Sequence, residues 1–416
     1  MQQAENNSLS FWQDDAGNQQ RYRALEGAAR VEVAIVGGGI TGTAAALWLA
    51  RAGRRVALLE QEVIAHGASG RNGGFVVAGT VQSYAQAIAS YGRATARRLF
   101  AFSVANNATV RELVAELDAQ GWQTGFRTCG CLRLADSPEE LAQVQATGNL
   151  LVEDGWEVEP VSERDLPHRL QGHYLGGLFR PHDGEVQPAR LVLGLAHLAA
   201  QAGASLYERT PALEISESRS GVSITTPLGT IQAETVIFAA NAWMGRLLGG
   251  LPQTPPALAS QVVTPTRGQV LATAPIGERL FEHTISAHHG YQYYRQLQDG
   301  RLIIGGWRDH APDMDQRDPT QAPTAAVQGQ LDRFLFDVLK LPADTPITHR
   351  WAGLMAFTPD SLPVVGWAPG SERILLCGGY TGHGNAMAVR CARVAADLAC
   401  RQPNDEAELF RPERIL

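Results

Sequence analysis

The stretch VEVAIVGGGITGTAAALWLARAGRRVALLE (31–60) decides the fold of this chain. It begins with a short run of β-branched and small apolar residues that ends in three glycines. An Ala- and Leu-rich helix follows, closed by Gly53, and the chain then returns to an apolar strand. Strand, helix and strand in this order predict a βαβ unit whose parallel strands are buried on both faces.

The glycines between the first strand and the helix have the spacing of a dinucleotide-binding turn. Gly37, Gly39 and Gly42 form G-x-G-x-x-G, and Glu60 stands at the tip of the second strand. Gly37 permits a tight turn, Gly39 lets the backbone approach a pyrophosphate at the helix N-terminus, and Gly42 allows close helix–strand contact. Glu60 can accept hydrogen bonds from a ribose diol. Because Gln61 rather than Arg follows it, the pattern predicts a Rossmann-type site without a 2′-phosphate.

The bulk composition is that of a globular chain long enough for two interlocked domains, with 416 residues, 44% hydrophobic and 19% charged. A net charge of -7 with scattered Lys and Arg argues against a nucleic-acid partner. Five cysteines without a CxxC pair disfavour a disulfide scaffold or a metal site and fit a reducing cytoplasm. The polar N-terminus does not resemble a secretory signal, and no apolar window is long enough for a transmembrane segment.

The rest of the chain alternates strands and helices. Helices are predicted near 93–120, from Pro138 behind the cap Ser137, and over 188–204, 323–340 and 384–400; strands over 129–136, 235–243 and 373–379; and an antiparallel sheet over 261–310. Nucleotide-type strands therefore lie at the start, middle and end of the chain. We predict an α/β protein with a discontinuous Rossmann-type domain (1–95, 181–250, 351–416) and an inserted α+β substrate domain on a mostly antiparallel sheet (96–180, 251–350).

Two glycine-rich loops indicate which nucleotide cofactor is bound. ASGRNGG (68–74) offers backbone without bulky side chains, which suits a flat isoalloxazine ring better than a nicotinamide, and Arg71 and Asn72 add donors. CGGYTGHGNAMA (377–388) joins a buried strand to a helix. The N-terminus of that helix, aimed at flavin N1 and the C2 carbonyl, would stabilise the reduced anion. No second G-x-G-x-x-G unit accompanies these loops.

These segments together resemble FAD-dependent oxidoreductases of the D-amino-acid-oxidase-like family, nearest the gamma-glutamylputrescine oxidase branch, with glycine oxidase and sarcosine oxidase as relatives. AIVGGGITG, the acid at 60, ASGRNGG, FAANAW, PTRGQV, GLMAFTPDSLPVVG and GGYTGHG recur in this order from about residue 30 to about 400. The resemblance implies that hydride passes from the carbon bearing a neutral amine to flavin N5. The imine then hydrolyses, and O2, a quinone or another acceptor reoxidises the flavin.

Two alternatives stay open beside this amine or amino-acid oxidase. One is a D-amino-acid dehydrogenase that passes electrons to a quinone. The other is a flavin-fold assembly protein without turnover.

Two departures from the family pattern bear on the substrate. Amino-acid-oxidising relatives hold the substrate carboxylate with an Arg in GLRPxTxD, which falls on Met355 here, and a second family Arg falls near Gly382. Because a buried carboxylate without a cation is costly, an amine or a substrate with a distant carboxylate fits better. No Cys lies at 350–360 to tether the flavin, so non-covalent FAD is expected.

The resemblance and the motifs assign the site residues. The expected cofactor-binding residues are Gly37, Gly39, Ile40, Gly42, Glu60, Gln61, Ala68, Ser69, Arg71, Asn72, Gly73, Gly74, Phe75, Ala212, Ala240, Gly379, Tyr380, Thr381, Gly382, His383, Gly384 and Asn385. The expected catalytic residues are Tyr291, Tyr293, Arg71, Arg267, Arg308 and Trp307.

Strand alternation puts Tyr291, Tyr293 and Arg295 on one face and Tyr294 on the other. The rings on the first face can form an apolar slot that binds an ammonium, or they can be ordinary sheet-core residues. Arg308 is a candidate replacement for the lost carboxylate anchor, and His288 and His289 are expected at the surface.

Overall fold

The structure, a computed structural model, describes residues 9–17, 19–251, 254 and 256–415. The first eight residues, on which part of the signal-peptide argument rests, lie outside these ranges. The strands are β1 Gly27–Val36, β2 Val56–Leu59, β3 Phe75–Val76, β4 Arg127–Thr128, β5 Cys131–Ala135, β6 Glu159–Ser162, β7 Gly176–Arg180, β8 Gly184–Glu185, β9 Ser205–Tyr207, β10 Glu214–Ser218, β11 Gly221–Thr225, β12 Gly229–Phe238, β13 Thr264–Thr273, β14 Thr284–Ala287, β15 Gln292–Gln296, β16 Leu302–Gly306, β17 Ile347–Phe357, β18 Val364–Trp367 and β19 Ile374–Gly378.

The helices are α1 Phe11–Ala16, α2 Ile40–Arg51, α3 Tyr84–Tyr91, α4 Arg93–Asp118, α5 Pro138–Glu153, α6 Pro188–Gln201, α7 Met244–Gly249, α8 Pro256–Gln261, α9 Ala325–Arg333 and α10 Gly384–Ala399. The longer helices lie where the periodicity predicts them, whereas α1, α3, α7 and α8 were not predicted. A π-helical turn, Phe334–Val338, continues α9. Ser137 caps α5 by accepting a hydrogen bond from the Glu140 N–H, as the Ser-Pro pair predicts. None of the described helices combines the length and hydropathy that a membrane span requires.

The first sheet carries the βαβ unit. Strands β12, β1, β2 and β9 lie side by side and parallel, with β1 between β12 and β2. Helices α2, α6 and α10 pack together over one face of these strands. The opposite face is buried against a cluster that includes Met244 and Leu248 of α7. Because both faces are covered, Ala34 and Ile35 are fully buried, and the strand reads as one continuous apolar run.

Strand β12 joins the separate pieces of the first sheet. Its first half pairs with antiparallel β11, and its second half, Val236 to Phe238, pairs with parallel β19. Strands from the start, middle and end of the chain therefore meet in one sheet. The prediction of a discontinuous α/β domain is confirmed.

The second sheet has the order β17-β13-β16-β15-β14-β5-β7-β6. Its neighbours are antiparallel except for β14 and β5, which confirms the mostly antiparallel inserted sheet. Helix α9 and the π-helical turn cover one face, where Tyr294 and Ile304 pack against Phe334. The face with Tyr293 is turned towards the loop at Gly73.

Two expected domain boundaries fall inside secondary structure. The division at 350/351 cuts β17, whose strand partner lies in the second sheet, so we propose a boundary after Phe357. The division at 95/96 cuts α4, which packs on α10 and carries Phe102 against Phe410 at 4.8 Å between ring centroids. We propose that α4 belongs with the nucleotide domain.

Candidate active site

A cavity of about 1060 Å³ is lined by residues of both sheets. It starts at the turn 37–41, follows the loop 66–73 and reaches Tyr291, Tyr293 and Arg308. This volume is at the upper end of the range for small-molecule and cofactor sites. The nucleotide half and the substrate half that the sequence predicts are therefore parts of one cavity.

The turn between β1 and α2, here called the cradle (residues 37–42), is closed to side chains. Gly37 has φ +117°, and a Cβ there would lie 2.5 Å from the Ala239 carbonyl oxygen. A Cβ on Gly42 would lie 1.9 Å from the Gly37 carbonyl oxygen, and one on Gly39 2.8 Å from the Ser69 Oγ. Helix α2 starts here without a side-chain cap, so its positive N-terminus opens on the cavity.

Glu60 lies at the cavity wall directly after β2. Its Oε2 accepts a hydrogen bond from the Gly38 N–H at 2.7 Å, and its Oε1 accepts one from the Glu62 N–H at 2.8 Å. Burial raises the pKa of this carboxyl. The two backbone bonds orient the acid beside the cradle, where it suits a ribose diol.

Asn72 holds the shape of the 68–74 loop. Its Nδ2 donates to the Ala68 and Ser69 carbonyls at 3.2 and 3.0 Å, and its Oδ1 accepts from the Gly74 N–H at 2.7 Å. The Asn385 amide donates to the same Oδ1 at 3.1 Å. The expectation that this side chain donates to a bound ring is therefore corrected, because its amide hydrogens are used within the loop.

Arg71 ties the loop to the second sheet. Its guanidinium donates to the carbonyls of His66 at 2.9 Å and Ala352 at 3.0 Å, and the Trp351 indole donates to the Arg71 carbonyl at 2.8 Å. Burial lowers the pKa of Arg71 to about 10, so the side chain stays charged at neutral pH. These bonds make Arg71 a brace of the cavity wall, and its expected roles as a ring donor and catalytic group stay predictions.

The first turn of α10 forms a second open helix N-terminus at the cavity. Gly382, His383, Gly384 and Asn385 line it, and no side chain caps the helix. The Nδ1 of His383 is buried without a hydrogen-bond partner among the described residues. Burial lowers the pKa of His383 to about 4, so the ring is neutral at neutral pH and can donate one hydrogen bond.

Three of the expected cofactor residues in the loops do not line the cavity and instead pack behind the residues that do. Gly74 has φ +74° and packs against the Val186 carbonyl, while Gly379 packs against Thr358. The Thr381 N–H donates to the Ala356 carbonyl at 2.8 Å. The other expected cofactor residues line the cavity, except Gly42, which lies in the cradle turn beneath it.

Tyr293 forms the floor of the substrate end. A Cβ on Gly305 would lie 2.3 Å from its ring, and one on Gly73 3.1 Å from it. Burial raises the pKa of Tyr293 to about 12, so the hydroxyl keeps its proton at neutral pH. Tyr291 also lines the cavity, but from the turn before β15 and not from the strand itself as alternation predicts.

Met355 occupies the family position of the carboxylate-binding Arg. It lines the cavity from β17, with its Sδ 3.4 Å from the Cβ position of Gly382 and its Cε 3.2 Å from that of Gly268. A polarizable thioether between two glycines offers no charge to an acid group.

Arg308 reaches the cavity from the end of the second sheet. Its guanidinium carbon lies 4.7 Å from the Tyr291 ring centroid and 4.9 Å from that of Phe357. Its Nη1 is buried, and no hydrogen-bond partner for it lies within the described part of the chain.

Two expected catalytic residues lie outside the cavity wall and are corrected here. Trp307 has φ +55° and packs in the core of the inserted domain, 5.1 Å from Phe334 between ring centroids. Arg267 is buried in ion pairs with Asp315 at 2.5 Å and Asp318 at 3.0 Å. Both side chains are used for packing or charge pairing within the inserted domain.

His289 is exposed, as expected, and His288 is partly buried, and both contact acids near the cavity. His289 lines the cavity, and its backbone N–H donates to the buried Glu140 carboxylate at 2.5 Å. The His288 Nδ1 lies 2.6 Å from the Asp136 Oδ2.

Sequence reasoning missed a side chamber of the cavity between α3, α4, α5 and β7. Its walls include Gln82, Tyr84, Phe100, Thr147 and Leu178. These positions are spread over almost a hundred residues and share no motif, so only the packing of the helices reveals the chamber. In the sequence, the glycine pair at the end of β16 was the signal that a large ring, that of Tyr293, packs there as the floor of the substrate end.

The residues present fit an FAD molecule. The cradle excludes side chains where a pyrophosphate would lie, Glu60 suits a ribose, and small residues line the path from there to Tyr293. The N-termini of α2 and α10, neither of which a side chain caps, favour negative charge in the cavity.

Comparison with known proteins agrees with this reading. The family model described as "FAD dependent oxidoreductase" matches residues 32–398. The chain is 32% identical to the probable oxidoreductase OrdL of Rhizobium meliloti (strain 1021), over 94% of this chain and 88% of that protein. It is 29% identical to the gamma-glutamylputrescine oxidoreductase of Escherichia coli (strain K12), over 96% and 90%. The crystal structure of glycine oxidase from Geobacillus kaustophilus superposes with a TM-score of 0.78 at 25% identity, over 92% and 98%.

Proposed function

This chain belongs to the family of FAD-dependent oxidoreductases, and on that premise we propose that it oxidises the C–N bond of an amine or an N-substituted amino acid to an imine. Water then hydrolyses the imine to a carbonyl compound and an amine. The observation that carries the proposal is the continuity of one cavity from the cradle to the floor at Tyr293. The names of two similar proteins, a gamma-glutamylputrescine oxidoreductase and glycine oxidases, support an amino compound as substrate.

Bound FAD supplies the two-electron acceptor that this oxidation needs. The cradle, Glu60 and the 68–73 backbone would hold it without a covalent link. The N-terminus of α10 adds a fixed positive potential at the cavity, which favours negative charge that develops there. Arg71 and Asn72 keep the loop rigid through their bonds to backbone carbonyls.

The residues at the substrate end position the substrate rather than act as acids or bases. Tyr293, held between Gly305 and Gly73, presents a ring and a protonated hydroxyl. His383 is neutral at neutral pH. Because neither group is poised to take a proton from an ammonium, the amine must lose its proton before the C–H bond breaks, and catalysis rests on positioning.

A second candidate function is the dehydrogenase that delivers electrons to a quinone. It shares the cavity and differs in the acceptor, so formation of peroxide during turnover in air separates the two. A flavin-fold assembly protein, the candidate from another class, would take up FAD without being reduced by any substrate.

The test is an anaerobic screen of the FAD-loaded protein. Primary amines, secondary amines, N-substituted amino acids and both enantiomers of the common amino acids are mixed with the yellow protein. Loss of the visible flavin absorption with a subset of them is the expected result. A colourless protein that takes up no FAD, or one that stays oxidised with the whole panel, contradicts the proposal.

A further inference from the structure

We propose that Arg308 binds a carboxylate of the substrate, so that the substrate is an amino acid derivative anchored beside Tyr291 and Phe357. This inference rests on the proposed function and deepens it, because it names the acid group and the residue that selects it. The anchor lies at the end of β16, away from the family position that Met355 occupies on β17.

The surroundings of Arg308 leave its hydrogen-bonding groups free for a ligand. Its guanidinium lies over two aromatic rings, at 4.7 Å from Tyr291 and 4.9 Å from Phe357. These ring contacts attract the cation and supply no oxygen or nitrogen acceptor to its N–H donors. The buried Nη1 has no hydrogen-bond partner among the described residues. A planar carboxylate matches the donor fork of a guanidinium that is held in this way.

Two other arginines of the cavity wall have an acid partner. Arg180 pairs with Asp183 at 2.7 Å, and Arg133 lies 3.5 Å from Glu140. In each pair the carboxylate is almost fully buried and compensates the cation. For Arg308, no carboxylate lies within 4.0 Å in the part of the chain that the structure describes.

The nearest acid in sequence does not supply that partner. Asp309, next to Arg308 in sequence, lies 3.4 Å from His288 through its Oδ2. Among the described residues Arg308 therefore has no carboxylate partner, and an incoming anion would offset part of the cost of its desolvation.

Arg308 also acts on the floor of the site. Burial raises the pKa of Tyr293 to about 12, and the charge of Arg308 opposes that rise. The two side chains thus face the same space. A substrate held by its carboxylate at Arg308 would present the neighbouring part of its chain to the Tyr293 side.

The experiment compares acids with amides on the oxidised, FAD-loaded protein. Acetate and propionate, and acetamide and propionamide, are titrated in while the flavin absorption spectrum is followed. We expect the acids to bind the wild-type protein at least roughly tenfold more tightly than the amides. Arg308→Met should lose roughly tenfold or more of the acid affinity, and Arg308→Lys should keep part of it.

Arg317→Met is the matched control. Arg317 is an exposed residue of the same connection and does not line the cavity, so this variant loses the same charge outside the site. Its acid affinity should equal that of the wild type. Far-ultraviolet circular dichroism and FAD content establish that the Arg308 variants are folded and loaded.

The outcomes separate this inference from the proposed function. Equal binding of acid and amide by the wild type, undiminished acid binding in Arg308→Met, or an equal loss in Arg317→Met overturns the role of Arg308. If amines reduce the bound flavin but carboxylates do not change its absorption spectrum, the role of Arg308 is wrong and the proposed function stands. A protein that takes up no FAD or is never reduced loses both.

Discussion

The cradle and the substrate end are built in opposite ways. The cradle is local: four glycines within six residues exclude side chains, and one acid follows at the next strand. The substrate end collects Tyr293, Met355 and Arg308 from three strands or strand ends of the second sheet. Backbone geometry decides the first region, and side-chain packing decides the second, so the two regions should respond differently to the same kind of mutation.

The largest effect is expected from Gly42→Ala in the cradle. The added Cβ would lie 1.9 Å from the Gly37 carbonyl oxygen, and backbone cannot move aside as a side chain can. We expect a loss of roughly 3 kcal/mol or more in the free energy of unfolding and no bound FAD. Denaturant unfolding and the flavin content of the purified protein measure this.

Gly329→Ala on α9 is the control for that variant. A Cβ there meets nothing within 4 Å, so the substitution should be neutral or stabilise the protein by roughly 0.5–1 kcal/mol. A yellow Gly42→Ala protein of normal stability would contradict the backbone account of the cradle.

Gly305→Ala adds one methyl group at the substrate end, as Gly42→Ala does in the cradle. Its Cβ would lie 2.3 Å from the Tyr293 ring, which can rotate away. We expect normal FAD content with flavin reduction slowed by roughly tenfold to a hundredfold, because the floor is displaced. Stopped-flow reduction under anaerobic conditions measures this, and Gly277→Ala, in open space, is the control. If Gly305→Ala reduces its flavin at the wild-type rate, Tyr293 does not form the floor of the substrate end.

The pH dependence of stability tests the α10 turn, where both regions meet. Burial lowers the pKa of His383 from 6.5 to about 4, so between these pH values the unfolded chain binds more protons than the native protein. The free energy of unfolding therefore falls as the pH falls from 6.5 towards 4, by roughly 2–3 kcal/mol for this group. His383→Asn should flatten the curve in this window. Denaturant unfolding at a series of pH values, with FAD held constant, checks it, and an unchanged slope counts against a buried neutral ring.

The smallest effect is expected from Tyr293→Phe. The ring keeps its packing on Gly305 and Gly73 and loses only the hydroxyl, whose pKa burial raises to about 12. Flavin reduction should slow by less than roughly tenfold, at unchanged FAD content. A loss as large as that of Gly305→Ala would assign the hydroxyl a direct role in catalysis, and an unchanged rate would leave the ring as packing alone.

Several site predictions went wrong because a side chain's direction depends on distant partners. Trp307 was expected to be catalytic, but directly after β16 it has a positive φ and packs against Phe334. Arg267 was expected to be catalytic, but Asp315, 48 residues away in sequence, holds it in an ion pair. Asn72 binds the Ala68 and Ser69 carbonyls, which only the folded loop brings within its reach.

The sequence by itself determined the α/β class, the discontinuous nucleotide domain, the cradle and the need for FAD. Those features were inferred from glycine spacing, apolar periodicity and an acid at a strand tip. Each of these patterns spans only a few neighbouring residues. Only the tertiary structure decided the side chamber, the bracing roles of Arg71 and Asn72, and the aromatic contacts of Arg308. These rest on contacts between residues far apart in the chain, because packing and charge pairing depend on distance in space and not on separation in sequence.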